Sequence, residues 1–153
     1  MRLRLAALLM LVLALIGPAA HVLEIPGKWR LPPEAWLAVQ QNLYPAFAVA
    51  GALGYVGAPI ACALLARAVR GTAEARAAWI AAGLVLLALL VWALVVAPAN
   101  GRIAAATPAT LGAEWTAWRA RWEAGHAIGA ALVATALVLL LRASLARKAA
   151  GDP

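Results

Sequence analysis

Four long stretches of this chain contain no Asp, Glu, Lys or Arg: residues 5–23, 35–66, 77–101 and 124–141. A helix needs about 20 mostly apolar residues (range ~17–25) to cross about 30 Å of hydrocarbon, and its backbone polar groups must all be satisfied within the segment. The sequence therefore predicts an all-α protein, a bundle of four transmembrane helices in one membrane domain. The predicted spans are about 5–23, 45–66, 77–97 and 124–142.

Composition leaves little room for anything besides the membrane domain. Of the 153 residues, 66% are hydrophobic and 12% are charged. A separate soluble domain is therefore excluded. The single cysteine, Cys62, falls late in the second predicted span, so the monomer has no disulfide framework and Cys62 is expected to be a packing residue.

The distribution of charge predicts the orientation in the membrane. A net charge of +7 would suggest nucleic acid as the partner of a soluble protein, but here the basic residues segregate by loop. One side of the four spans carries Arg2, Arg4, Arg67, Arg70, Arg76, Arg142, Arg147 and Lys148, with Glu74 and Asp152. The other side carries Lys28, Arg30, Arg102, Arg119 and Arg121, with Glu24, Glu34, Glu114 and Glu123. The positive-inside rule predicts an inner-membrane protein with both termini in the cytoplasm, and no nucleic-acid partner.

The N-terminus also permits a second interpretation. Arg2 and Arg4 precede an apolar run that ends in small residues at 17–20, a pattern typical of a signal peptide. Cleavage there would leave a three-span protein. The apolar run continues through Val22 and Leu23 to a length that crosses the membrane, which favours four spans.

The outer loops contain their own helix signals. The first helix is expected to end at Pro26-Gly27, and Pro33 then opens a short helix in which Trp36 and Leu43 recur at helical spacing. Pro98 is expected to close the third span. After it, a helix begins beyond residue 110 and runs into the fourth span. We therefore predict short interfacial helices in both outer loops.

Small residues predict where helices approach closely. The second span carries one small residue every four positions, and the fourth span carries a GxxxG pattern, both typical of close helix contacts in membranes. These positions are Ala50, Gly54, Ala58 and Cys62, then Gly125 and Gly129. Such faces also suit the docking of another membrane protein, so a membrane-protein partner is one possibility left open by the sequence.

Both histidines fall at the outer edge of a span, each three residues from a carboxylate. His21 precedes Glu24 at the end of the first span, and Glu123 precedes His126 at the start of the fourth. An i,i+3 spacing puts both members of a pair on one helix face. Because the two helices run in opposite directions, we predict that both pairs meet at one depth, in a polar cluster that also contains Asn100.

Three interpretations of this cluster compete. The side chains could hydrogen-bond to one another and fix the loops on the bundle, or they could line a pocket for proton transfer or ligand binding. The Glu-x-x-His pattern also resembles the ligands of di-iron bundles, but those sites use two further carboxylates that this chain lacks. A metal site is therefore the least favoured of the three, and no metal ligand and no cofactor is assigned. The candidate catalytic residues are His126, His21, Glu123 and Glu24.

Five further residues at the same face are candidate ligand contacts. Lys28 and Arg102 carry donors for an anionic or carbonyl oxygen, although contact with lipid phosphate is an alternative role. Asn100 supplies an amide. Trp118 and Trp122 lie on one stripe of the fourth helix, which suits either an interfacial belt or a wall against an aromatic ligand.

Two groups of motifs stand out: the run 20–28, and a later set made of Pro98, Asn100, Arg102, Trp115, Trp118, Arg121, Trp122, Glu123 and His126. In these residues the chain resembles a family of small four-helix membrane proteins that includes the anthrone-oxygenase-like proteins. The resemblance implies a cofactor-free oxygenase that converts polycyclic anthrones to anthraquinones with molecular oxygen, with His126 in the active pocket. The chain departs from the family pattern at Gly129, where relatives often carry a basic residue.

Two functions follow as hypotheses. In the first, the protein is oxygenase-like or binds a hydrophobic aromatic small molecule that enters from the lipid bilayer, and a histidine removes an acidic proton from that molecule. In the second, the protein is a non-catalytic membrane partner or assembly subunit that docks through its small-residue faces.

Overall fold

The computed structural model describes residues 1–149, apart from the side chains of residues 45–46 and 147–149. The helices are α1 (Arg2–Lys28), α2 (Pro33–Leu43), α3 (Pro45–Ala68), α4 (Ala73–Val91), α5 (Ala97–Ala105) and α6 (Trp115–Ala149). A π-helical turn, Trp92–Val96, joins α4 to α5. Three charges used to predict orientation, those of Arg147, Lys148 and Asp152, lie outside the described side chains.

Four helical segments are long and apolar enough to cross a membrane. They are Arg2–Lys28, Phe47–Ala68, Ala73–Ala105 and Trp115–Ala146. The third comprises α4, the π-helical turn and α5 in one continuous run. The predicted all-α class with four candidate spans is confirmed, and the chain has the character of a multi-pass membrane protein.

The four long helices pack in a ring. Helix α1 contacts α3 and α6, and α4 contacts the same two helices. Much of the shared core consists of alanine, together with Leu11, Cys62 and Val85, all fully buried. Small side chains let the backbones approach closely, so that dispersion contacts hold the helices together in a solvent of lipid chains.

The predicted close approaches are made within the chain. A Cβ added at Gly54 would lie 2.5 Å from the Cα of Ala14, so α3 presses its backbone against α1. A Cβ at Gly125 would lie 2.5 Å from a methyl group of Val96, and one at Gly129 would lie 3.3 Å from the hydroxyl of Tyr55. These glycines therefore make close contacts between helices of this chain.

One end of the ring is held by a buried ion pair. Arg4 Nε on α1 lies 2.7 Å from Glu74 Oε1 at the start of α4. Ser144 on α6 donates a hydrogen bond of 2.8 Å to the same oxygen. Glu74 is only 1% exposed, so this carboxylate joins three helices rather than facing solvent as part of the charged loop.

The expectation that Pro26-Gly27 ends the first helix is wrong by one residue, because helix α1 includes both residues and ends at Lys28. Proline removes only one hydrogen bond here, and the turn beyond the helix recovers others, because the N–H groups of Trp29 and Arg30 donate to the carbonyls of Ile25 and Gly27. As a result Lys28 stands one helical turn beyond Glu24.

The expectation that Pro98 closes the third span is also wrong. The helix passes through Pro98 by way of the π-helical turn and continues to Ala105. Proline has no N–H to give to the carbonyl four residues earlier, which is that of Leu94. Arg121 on α6 fills the gap: its Nη2 donates to the Leu94 oxygen at 2.7 Å and its Nε to the Val95 oxygen at 3.1 Å.

A helix does occupy the connection between the first and second candidate spans. Helix α2 folds back on the bundle, where Gln41 Nε2 donates to the carbonyls of Ile103 and Ala106 at 2.9 Å each. Trp36 is fully buried and its ring lies 5.6 Å from that of Trp115. In the second connection, residues 106–114 are not helical and α6 begins at Trp115.

Candidate functional site

The two histidines meet between α1 and α6. Their ring centroids lie 4.5 Å apart. His21 is 4% exposed, and the Trp122 ring lies 4.6 Å from His21 and 4.3 Å from His126. The Tyr44 ring, at the end of α2, stands edge-on to His21 at 4.5 Å. Residues separated by about one hundred positions in sequence thus form one cluster, as predicted from their matched depths.

Glu24 joins this cluster through three neighbours. Its Oε2 lies 3.5 Å from His21 Nδ1 and 2.9 Å from Lys28 Nζ, and it accepts a hydrogen bond of 2.8 Å from the Tyr44 hydroxyl. A carboxylate beside Nδ1 favours the tautomer with the proton on that nitrogen, which leaves Nε2 of His21 as an acceptor.

Glu123 does not pair with His126 in the same way. It accepts hydrogen bonds from Trp29 Nε1 at 2.6 Å and from Arg119 Nε at 3.2 Å, and within the described residues no hydrogen bond joins it to His126. Side chains on a helix lean toward its N-terminus. Glu123 therefore reaches Arg119, one turn earlier, and ties α6 to the end of α1.

Lys28 turns inward rather than toward lipid headgroups. It is 4% exposed, and its ammonium lies 4.4 Å from the Tyr44 ring centre and 4.6 Å from that of Trp122. Aromatic faces and a carboxylate together stabilise a cation that has lost its water. The continuation of α1 through Pro26 to Lys28 makes this position possible.

Tyr44 lies between two spans and contacts both charged groups: its hydroxyl donates to the Glu24 carboxylate and its ring faces the Lys28 ammonium. Burial, together with the hydrogen bond to Glu24 and the charge of that residue, raises the pKa of the Tyr44 phenol. The hydroxyl therefore remains protonated and continues to donate to Glu24 at any physiological pH.

A cavity of about 830 Å³ opens beside the histidines. Its wall contains mostly apolar groups with a few polar ones, which is the usual character of small-molecule sites. The lining residues that bear on function are His21, Gln40, Tyr44, Trp92, Asn100 and His126. Asn100 accepts a hydrogen bond of 2.7 Å from Trp122 Nε1, which fixes the indole against both imidazoles.

The rim of the cavity reaches the side of the bundle, between α3 and the end of α4. Val56 and Trp92 both line the cavity, and they are 59% and 38% exposed. These residues belong to candidate spans, so their exposed surfaces face the hydrocarbon when the chain is in a bilayer. Trp92 begins the π-helical turn, a feature that often marks functional sites in membrane and soluble helices.

Arg102 and Trp118 lie away from the histidines. The Arg102 guanidinium lies 5.6 Å from the Trp118 ring, and both residues line a separate pocket of about 170 Å³ with Glu114 and Arg121. Neither belongs to the wall of the large cavity. Of the predicted ligand contacts, only Asn100 and Trp122 belong to that wall, and Lys28 packs against the Trp122 ring.

Sequence reasoning missed several residues of the cavity. Tyr44 and Phe47 flank His21, with ring centres 4.5 Å and 5.4 Å away, and Gln40 and Tyr55 line the same space. The polar pair at 40–41 on an otherwise amphipathic helix was the available signal for α2. Nothing local indicated that α2 folds over the histidines.

In the part of the chain that the structure describes, no group of three or more His, Cys, Asp or Glu side chains is placed to hold an ion.

Comparison with protein-family models, curated proteins and solved structures finds no match to this chain.

Proposed function

We propose that this protein is a multi-pass inner-membrane protein that binds an apolar aromatic small molecule in the cavity beside His21 and His126. The single observation that carries the proposal is the cavity of about 830 Å³ with an imidazole pair in its wall. Ligand pockets typically measure about 300–1,000 Å³ and combine apolar walls with few polar groups. The exposed rim at Val56 and Trp92 supports entry from the bilayer.

A proton transfer is the chemistry that two neighbouring imidazoles suit best. An imidazole has an ordinary pKa of about 6.5, so a neutral histidine can accept a proton from an acidic carbon of the ligand. The hydrogen bond between Glu24 and Nδ1 would direct the basic nitrogen of His21 away from the carboxylate. Trp122, held by Asn100, would press the ligand toward both rings.

The resemblance to anthrone-oxygenase-like proteins suggests a specific reaction. An imidazole takes a proton from the methylene carbon of an anthrone, and the carbanion transfers its electrons to dioxygen and forms a carbon–oxygen bond. The peroxide regains the proton, and loss of water then leaves the second carbonyl. One anthrone and one dioxygen thus give one anthraquinone and one water, with no other reductant or oxidant.

Oxidation of anthrone by the purified protein in lipid nanodiscs tests this activity. Dioxygen uptake and anthraquinone absorbance should exceed those of empty nanodiscs, and His126→Gln should remove most of the excess. Trp79→Phe is the matched control, since Trp79 is half exposed on α4 and does not line the cavity. If His126→Gln oxidises anthrone as fast as the unaltered protein, the catalytic role of the histidine is wrong.

The same preparation distinguishes ligand binding without catalysis from catalytic oxidation. Mass spectrometry of protein extracted gently from its membrane should detect a bound aromatic or quinone-like molecule. The His126→Gln protein should lose that molecule or bind it more weakly. Recovery of no small molecule, together with no anthrone binding, would contradict the ligand-binding proposal as a whole.

The orientation in the membrane is part of the proposal. Reporter fusions after Arg70 and after Pro153 should be active in the cytoplasm, and a fusion after Arg102 should be active outside. Helix α2 would then lie at the outer interface. A reporter at Pro153 on the outer side, or a mature N-terminus near Ala20, would contradict this topology.

A further inference from the structure

A second, smaller pocket lies where α5 meets the start of α6, apart from the cavity beside the histidines. Its volume is about 170 Å³, and it is lined by Pro98, Ala99, Arg102, Glu114, Trp118 and Arg121. Sites for whole small molecules usually measure about 300–1,000 Å³. This pocket therefore suits one polar end of a larger molecule whose remainder lies outside it.

The pocket carries charges of both signs that do not pair with each other. Within the described residues, neither the Glu114 carboxylate nor the Arg102 guanidinium makes an ion pair or a hydrogen bond. Arg102 instead packs against the Trp118 ring at 5.6 Å. Arg121 donates through Nε and Nη2 to carbonyls of the π-helical turn, which leaves its Nη1 without a hydrogen bond in the same part of the chain. A molecule that carries both a negative and a positive group would satisfy all three side chains.

The pocket lies at the level where two candidate spans end. Arg102 is close to the end of the third span, and Trp118 is close to the start of the fourth. Nearer the middle of those spans, Leu94 and Ile128 are 60% and 49% exposed, so their side chains face hydrocarbon when the chain is in a bilayer. A lipid whose acyl chains lie along these two residues has its headgroup at the level of the pocket.

We propose that this pocket binds the headgroup of a phospholipid that carries a primary ammonium group. Arg102 and the Nη1 of Arg121 donate to the phosphate oxygens, because planar guanidinium donors match the geometry of phosphate. Glu114 accepts hydrogen bonds from the ammonium group. A trimethylammonium group has no N–H to donate, and a glycerol headgroup carries no positive charge, so both give Glu114 a weaker partner.

Three phospholipids with identical acyl chains test the proposal. The full chain in detergent is titrated with phosphatidylethanolamine, phosphatidylcholine or phosphatidylglycerol, and native mass spectrometry measures the affinity for each. Phosphatidylethanolamine should bind about fivefold more tightly than either of the others, which is the size of one favourable exposed charge pair. Equal or weaker binding of phosphatidylethanolamine would overturn the proposal.

Two variants assign the two charged groups of the headgroup to their partners. Glu114→Gln should reduce the preference for phosphatidylethanolamine to about twofold or less and leave the binding of phosphatidylcholine unchanged. Arg102→Gln should weaken all three lipids by about fivefold and keep the preference, because the phosphate is common to them. The matched controls are Glu34→Gln and Arg30→Gln, since both residues are exposed and neither lines the pocket. Both controls should bind each lipid as the unaltered protein does.

Three further outcomes would contradict the proposal. If Glu114→Gln keeps the full preference, or weakens all three lipids alike, Glu114 does not select the headgroup. If Arg102→Gln binds the lipids as tightly as the unaltered protein, the phosphate does not lie in this pocket. If soluble phosphoethanolamine at equal concentration displaces the lipid, the ligand is a water-soluble molecule rather than a lipid. None of these results depends on the cavity beside the histidines, since no residue lines both spaces.

Discussion

The contact of Gly54 with α1 predicts a large effect of one methyl group. In Gly54→Ala the new Cβ would lie 2.5 Å from the Cα of Ala14 and 2.8 Å from the carbonyl carbon of Leu13. Carbon atoms pack best at about 3.5–4.0 Å, so the helices must separate by about 1.0–1.5 Å. A gap of even ~0.5–1 Å forfeits a quarter to a half of a dispersion contact.

The opposing atoms at Gly54 are backbone atoms, which cannot rotate away as the end of a side chain can. Overpacking typically costs about 1–3 kcal/mol, and we expect the upper end here, about 3 kcal/mol in the free energy of unfolding. For a chain of this size, the expected fall in Tm is about 6–12 °C. Circular dichroism of the protein in detergent, followed on heating, measures this change.

The control for this variant is Gly83→Ala on α4. A Cβ at Gly83 meets nothing within 4 Å, and exchange of glycine for alanine inside a helix stabilises it by roughly 0.5–1 kcal/mol. Gly83→Ala should therefore leave Tm unchanged or raise it slightly. If Gly54→Ala is as stable as Gly83→Ala, the close contact of α3 with α1 does not exist and the packing argument fails.

Three further substitutions test other contacts. Glu74→Gln removes the charge that binds Arg4 of α1 and should lower the free energy of unfolding by about 3 kcal/mol. Its control, Glu34→Gln on the exposed face of α2, should change the free energy of unfolding by less than about 0.5 kcal/mol. Equal effects of the two substitutions in a denaturant titration would contradict the buried ion pair. Arg121→Met removes two hydrogen bonds to carbonyls of the π-helical turn and should lower the free energy of unfolding by about 1–3 kcal/mol. A melting curve that coincides with that of the unaltered protein would refute the role of the guanidinium. Tyr44→Phe removes a donor to Glu24 and should cost about 1 kcal/mol, with thermal melts as the measurement and no change in Tm as the contrary result.

The spans and the meeting of the histidines could be predicted because both depend on local properties. Runs without charge determine which segments enter a membrane, and the period of small residues determines which faces approach closely. His21 stands toward the end of the first predicted span and His126 at the start of the fourth. Antiparallel helices bring such positions to one depth, so only their lateral contact remained to be learned.

The prolines could not be predicted correctly from local rules. A proline usually ends or kinks a helix because it removes a hydrogen bond. At Pro98 a residue on another helix, Arg121, supplies donors to the carbonyls of that turn. At Pro26 the chain gains the buried position of Lys28 by continuing. The compensation at Pro98 comes from a residue on another helix, and the one at Pro26 comes from the turn that follows it.

The direction in which α2 folds back could not be predicted from the sequence either, because it depends on contacts between distant segments. Gln41 reaches carbonyls about 60 residues later in the chain. The direction of Glu123, in contrast, was available from helix geometry. Side chains lean toward the N-terminus of their helix, so a carboxylate three residues before His126 points away from it.

The junction of Arg4, Glu74 and Ser144 at one end of the bundle restricts how the protein can open. Three long helices are bound together there, whereas the opposite half of the bundle contains the cavity. Local opening requires least free energy where buried contacts are fewest. The ends of α3 and α4 beside the cavity can therefore part, while Glu74 keeps the other end of α4 bound to α1 and α6. Within the hydrogen-bonded interiors of α3 and α4, amide hydrogen exchange should be faster in the half that lines the cavity than in the half toward Glu74.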